Sequence, residues 1–176
     1  MIILIVGDFG VGKDTVADLL LKESLRRHDC VKFKKILSYT TREPRYDGED
    51  THLFCTKRDF LTFNDLVAKT EIENNFYGTR ASQFDKNNVN LYCVDKKGVN
   101  DIVQSNIDDW LVVEVIRPKW LINLPKDRLN RSRNTDSDNL ITTIDYRIMN
   151  DGDMEKLKAS VLECFNFIVK EMKKSL

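Results

Sequence analysis

The chain has 176 residues, and its 28 lysines and arginines are balanced by 28 aspartates and glutamates, giving a formal net charge of zero. That balance argues against nucleic acid or an anionic membrane as the main partner, so basic clusters are read as local features of a site. No apolar run approaches a membrane span, and the length suits one α/β domain with a good core and a small insertion.

The first strand follows without a charged leader, so no signal peptide is expected. Cys30, Cys55, Cys93 and Cys164 are widely spaced with no C-x-x-C, which predicts reduced thiols in a cytoplasmic protein. His28 and His52 are too few and too isolated for a metal site.

Taken in order, Ile2 to Val6 is an apolar run long enough for a strand buried on both faces. It ends in Gly7-Asp8-Phe9-Gly10-Val11-Gly12-Lys13, a G-x-x-x-x-G-K pattern. Glycines let backbone amides turn inward, and a helix start adds the favourable end of its dipole, so the segment reads as a phosphate cradle. The next residue is Asp14, where a hydroxyl would be expected to reach Mg²⁺, and Thr15 follows one place later.

Lys13 to Arg27 carries Val16, Leu19, Leu20 and Leu25 on roughly one face and predicts an amphipathic helix. Val31 to Leu37 alternates as a half-buried strand, and Ser38 to Asp50 is polar loop. Asp59 to Lys69 has helical spacing through Phe60, Phe63, Leu66 and Val67, and Asn74 to Thr79 reads as turn and short strand.

Leu91 to Asp95 is a buried strand tipped by an acid, the form that holds a metal in many phosphoryl-transfer proteins. Gly98 to Asn106 is a short helix, and Trp110 to Ile116 a buried strand closed by Arg117-Pro118. Lys119 to Arg133 is arginine-rich and broken by Pro125, and Asn134 to Asn139 is polar. Tyr146 to Met149 is a last strand before a long helix striped by Met154, Leu157, Val161, Phe165, Ile168 and Met172. Alternating buried strands and helices call for a parallel sheet covered on both faces, interrupted by an inserted lobe over 38–81.

Arg42 and Arg45, fixed around a proline in T-T-R-E-P-R, suit a bidentate grip on a second phosphate. Arg128, Arg131 and Arg133 precede a polar stretch and suit a cationic lid over about 126–143. A donor cradle, an acid-tipped strand, an acceptor clamp and a lid together describe phosphoryl transfer, which needs positioning and charge neutralisation more than a dedicated base.

These blocks resemble the guanylate kinase family of P-loop nucleoside monophosphate kinases. The likeness rests on Gly7 to Lys13, on Ser38-Tyr39-Thr40-Thr41-Arg42-Glu43-Pro44-Arg45, on Tyr77-Gly78-Thr79, on Asp95-Lys96-Lys97-Gly98 and on Ile144 to Asp151. It implies a three-layer P-loop NTPase fold with a five-stranded parallel sheet, as one domain with core 1–37 and 82–176. It also implies Mg²⁺-dependent transfer of the ATP γ-phosphoryl group to GMP or dGMP, by a monomer or homodimer.

Carried over by position, Gly7 to Thr15 and Asn150 would bind ATP, and Asp14, Thr15 and Asp95 would hold the metal. Ser38, Arg42, Arg45, His52 and Tyr77 would hold the acceptor phosphate. Glu71, Thr79 and Asp95 would lie near the base, and Lys13, Arg42 and Arg131 or Arg133 would act on the transferring group.

The chain departs from the family at several places. Asp14 replaces a hydroxyl residue, and is either a Mg²⁺ ligand or a cap for the helix start. Cys93 stands where an acid is usual, and His52 where a phosphate-binding tyrosine is. Without gaps the guanine-reading glutamate falls on Ala68, and only a shift puts Glu71 there. The stretch after the lid arginines is short. A kinase for another (d)NMP, and a binding module that has lost catalysis, are the alternative readings.

Overall fold

The computed structural model describes residues 1–27, 32–122 and 139–174. Strand β1 (Ile2–Val6) has every side chain buried, as an unbroken apolar run requires. It lies between β7 (Val89–Cys93) and β8 (Trp110–Ile116), both parallel to it. With β2 (Phe33–Ile36) and β9 (Tyr146–Met149) at the edges, the order is β2-β7-β1-β8-β9, and every pairing is parallel.

Helices cover both faces. On one side α1 (Lys13–Arg27) and α4 (Met154–Met172) bury Val16, Ala17, Leu20, Leu157, Val161, Cys164, Phe165 and Ile168 against Ile3, Ile5, Leu91 and Val113. On the other, α3 (Lys96–Gln104) brings Val99 and Ile102 onto Ile2, Leu4, Tyr92 and Val112. The three-layer α/β arrangement expected from the alternating runs is therefore the one observed. Two expected core positions differ, since Leu25 is 67% and Met154 50% exposed. The inward stripe of α1 is completed by Ala17 and Ser24 instead.

A second sheet comes from residues 39–80, in the order β4-β3-β6-β5. Its strands are β3 (Tyr39–Thr40), β4 (Leu53–Phe54), β5 (Leu66–Ile72) and β6 (Asn75–Arg80). The helix expected over 59–69 is only α2 (Lys57–Thr62), started by Thr56, whose hydroxyl accepts the Asp59 amide at 3.1 Å. It ends at Phe63, whose backbone is extended, and Asp65 then joins the second sheet, its carboxylate accepting from Arg80 Nε at 2.7 Å and the Ser82 amide at 3.2 Å. Strand β5 is tied to α3 by the Lys69 amide, which donates to Asp101 Oδ2 at 3.1 Å. Among the described residues no helix is long and apolar enough to cross a membrane.

Candidate active site

The crevice lies beyond the carboxyl end of β1, where neighbouring strands lead away in opposite directions, the usual ligand position in such sheets. Gly7 has φ +151° and a Cβ there would sit 2.3 Å from the Val115 carbonyl oxygen. Gly12 has φ +100°, with the Asn150 Nδ2 2.8 Å from the same imaginary atom. Both positions therefore demand glycine.

Lys13 Nζ donates to the carbonyls of Gly7 at 2.7 Å and Asp8 at 3.0 Å, which folds its amine into the loop. Burial pushes its pKa below the ordinary lysine value, against the pull of the nearby carboxylates of Asp14, Asp8 and Asp95. Cys93 is pushed up to about 12 by burial, so it is a neutral thiol there. Asn150 is buried and donates to the Val11 carbonyl at 2.8 Å, tying the end of β9 to the cradle.

Asp14 is the second residue of α1, and the first helical bond runs from the Val16 amide to the Gly12 carbonyl at 3.0 Å. Asp14 is thus an acid in the first turn rather than the cap. Its side chain is mostly exposed, and Lys35 Nζ lies 3.4 Å from Oδ1.

A cleft of about 410 Å³ runs from this cradle to the second sheet. Lys13, Asp14, Thr15, Ser38, Arg42, Arg45, His52, Tyr77, Cys93 and Asp95 all line it. The opposing wall is organised by Glu49, which sequence reasoning missed. Its carboxylate accepts both Arg42 terminal nitrogens, at 2.8 and 3.1 Å, the Arg45 amide at 2.7 Å and the Thr51 hydroxyl at 2.7 Å. These donors, Arg42 first, hold Glu49 well below the usual carboxylate range.

The clamp consequently differs from the one expected. Arg42 is 8% exposed and its guanidinium fork is spent on Glu49 and on the Glu43 carbonyl at 2.7 Å. Only Nε is buried without a partner. Arg45 keeps a looser 3.9 Å approach to Glu49.

Thr51 has one hydroxyl hydrogen and gives it to Glu49, so the 3.0 Å contact to His52 Nδ1 requires the imidazole to donate. Burial, then the Arg42 charge, lowers the His52 pKa, so the ring is neutral at pH 7. It stands edge-on to Tyr77, ring centroids 5.8 Å apart. Ser38 Oγ is 3.1 Å from the hydroxyl of fully buried Tyr92.

Alternation along β5 directs Ala68, Thr70 and Ile72 to the cleft, while Glu71 is exposed and does not line it. Position 68 is alanine at φ +52°, beside a register shift between Val67 and Thr70, a strained backbone in the cleft wall. Thr79 is fully buried and donates to Gln83 Oε1 at 2.7 Å, so it too lies off the cleft lining. Asp95 lines the cleft while one oxygen accepts the Gly98 amide at 2.7 Å and caps α3.

Arg128, Arg131 and Arg133, with 126–138 of the expected lid, lie outside the described residues. Residues 139–141 are tied to α3 through Asn100, which donates to the Asn139 carbonyl at 2.8 Å and accepts the Ile141 amide at 3.0 Å.

On the other side of the cradle a second cleft of about 460 Å³ is lined by Arg117, Leu121, Asn150, Gly152, Asp153, Met154 and Leu157. Gly10, Gly12 and Thr15 line both clefts, so the loop is their common wall. Among the described residues no cluster of three or more His, Cys, Asp or Glu side chains could hold a metal alone. Asp14, Thr15 and Asp95 offer hard oxygens in one cleft, which fits Mg²⁺ shared with nucleotide phosphates rather than caged by protein.

No family model matches the chain. It is 33% identical over 113 residues to a guanylate kinase of Mycoplasmoides gallisepticum, covering 59% of this chain and 55% of that protein. It is 30% identical over 113 residues to a guanylate kinase of Mesomycoplasma hyopneumoniae, with the same coverage. The chain thus matches about half the length of these curated relatives. The crystal structure of guanylate kinase from Anaplasma phagocytophilum shares the fold, with a TM-score of 0.70 and 19% identity over 97% of this chain and 85% of that one. The chain is thus similar in part of its sequence to curated guanylate kinases, and in fold to a solved one.

Proposed function

Proceeding from that kinship, we propose that the chain is an ATP-dependent nucleoside monophosphate kinase that phosphorylates GMP or dGMP. The observation that carries this is one cleft with a lysine-bearing phosphate cradle on one wall and Ser38, Arg42, Arg45, His52 and Tyr77 on the other. ATP would lie with its phosphates along Gly7 to Lys13 and its base toward the second cleft, around Arg117 and Asn150. The acceptor's phosphate oxygen attacks the γ-phosphorus, and the bond to the β–γ bridging oxygen breaks, leaving ADP.

In this step Lys13 exchanges its two carbonyl partners for phosphate oxygens, and its buried charge stabilises the transferring group. Arg42 Nε, Arg45 and Tyr77 orient the acceptor. Asp14, Thr15 and Asp95 would hold Mg²⁺, which when bound neutralises charge on the phosphate oxygens. No dedicated general base is required, because the acceptor is already an anion.

A second reading, a kinase for a different base, is favoured by one observation: Ala68, Thr70 and Ile72, and no carboxylate of β5, face the cleft. Guanine presents two adjacent donors, and with no β5 carboxylate to accept them their reading would fall to Asp95 alone, which selects guanine less sharply. A coupled assay with Mg·ATP against all common NMPs and dNMPs tests both readings. Turnover is expected with at least GMP or dGMP, and Lys13→Ala should lower it at least about 100-fold. Tight monophosphate binding with no turnover of any acceptor would replace the kinase by a binding module.

A further inference from the structure

Lys35 on β2 projects into the wall of the main cleft with its side chain 23% exposed. Its ammonium lies 2.9 Å from Asp18 Oδ1 and 3.4 Å from Asp14 Oδ1. The two aspartates are one turn apart on α1, where like charges repel, and a single cation from a neighbouring strand bridges them. Asp14 also directly follows Lys13, so its carboxylate stands at the cradle with the same sign as any polyphosphate.

We propose, on the reading that the cradle holds nucleotide phosphates, that Lys35 is a positioning residue acting through Asp14. Anchored on Asp18, it draws the Asp14 carboxylate toward β2 and balances its charge, so that an acid can occupy the first turn of α1 without repelling the nucleotide. Lys35 and Asp14 then form one functional unit: either substituted alone upsets the balance, and both substituted together restore it. In the presence of Mg²⁺ the same carboxylate has a second counter-ion, so dependence on Lys35 falls.

Calorimetric titration of ADP in EDTA, with no turnover involved, tests this on the full chain. Lys35→Ala should bind ADP about tenfold more weakly, the size of one uncompensated charge at the rim of a solvated site. Lys35→Arg should bind as the unaltered protein does. The double variant Asp14→Ser/Lys35→Ala should recover to within about twofold, since the repelling group has gone. Saturating Mg²⁺ should shrink the Lys35→Ala deficit. The pair is partly exposed, so urea unfolding midpoints should barely move.

Undiminished ADP binding by Lys35→Ala would overturn the proposal. So would a double variant as weak as Lys35→Ala, because lost packing or a lost direct phosphate contact is not rescued at Asp14. If the unaltered chain bound neither ADP nor Mg·ADP, the nucleotide reading itself would fall, and the role of the pair with it.

Discussion

Replacing Glu49 by glutamine keeps its shape but leaves Arg42 a buried cation without a counter-ion. Breaking one side of such a pair costs roughly 3 kcal/mol, to be read from urea unfolding. The pH dependence has a definite sign. The folded pKa of Glu49 is lowered, so its contribution is complete above the ordinary glutamate pKa and is lost as pH falls through the folded value. The unaltered protein should therefore lose stability below about pH 4.5, and Glu49→Gln should show a shallower acid limb. Parallel acid limbs would mean that Glu49 carries no special charge interaction. The arginines of this clamp were legible from T-T-R-E-P-R, but their counter-ion was not. Asp47, Glu49 and Asp50 look alike in sequence, and only the turn at Gly48, φ +77°, decides which acid is folded inward. Lys35 was hidden differently: Lys34 and Lys35 are consecutive and face opposite sides of β2, and nothing in the sequence marks the side of Lys35 as the one that opens onto a cleft.

Elements differ in how plainly they are written. Strand β1 is a continuous apolar run, β8 is one broken only by Glu114, and α4 is a long periodic helix, so each was evident from its pattern. Strand β5 was not. Phe60, Phe63, Leu66 and Val67 satisfy helical spacing, yet Phe60 and Phe63 pack within an aromatic cluster while Leu66 and Val67 pair with β6. The Glu71 expectation rested on the family resemblance and not on that spacing; Ala68, Thr70 and Ile72 are the β5 residues that line the cleft, beside the bulge between Val67 and Thr70. The loop between β1 and α1 carries the sharpest test of the cradle. Gly7→Ala would drive a methyl group into the backbone of β8 at a φ alanine rarely adopts. The expected cost is about 2 kcal/mol or more in stability, with loss of ATP binding in calorimetry. Normal ATP affinity in a folded Gly7→Ala variant would show that this loop does not hold the phosphates.

At the scale of the molecule, two clefts meet on one loop. A ligand joining adenosine and guanosine through five phosphates should span both and bind at least about tenfold more tightly than ATP or GMP alone. Equal affinities would mean that the clefts do not act as one site. The layers of the fold could be anticipated from the alternation of strands and helices. That Lys13 and Arg42 face one cleft was expected from the family resemblance, whereas the bond from Asn150 to the Val11 carbonyl, which sets the end of β9 against the cradle, depends on packing between elements far apart in sequence.

The position of β1 in the middle of its sheet bears on time as well as on space. Its two neighbours are supplied by residues 89–93 and 110–116, so the central strand has no partner while the first half of the chain is being made. Closing such long loops is slow, and until they close an apolar strand with two open edges is exposed. Until then β1 is the segment of the nascent chain with most to gain from a foreign strand, and the loop at its end lacks the β8 backbone against which Gly7 packs.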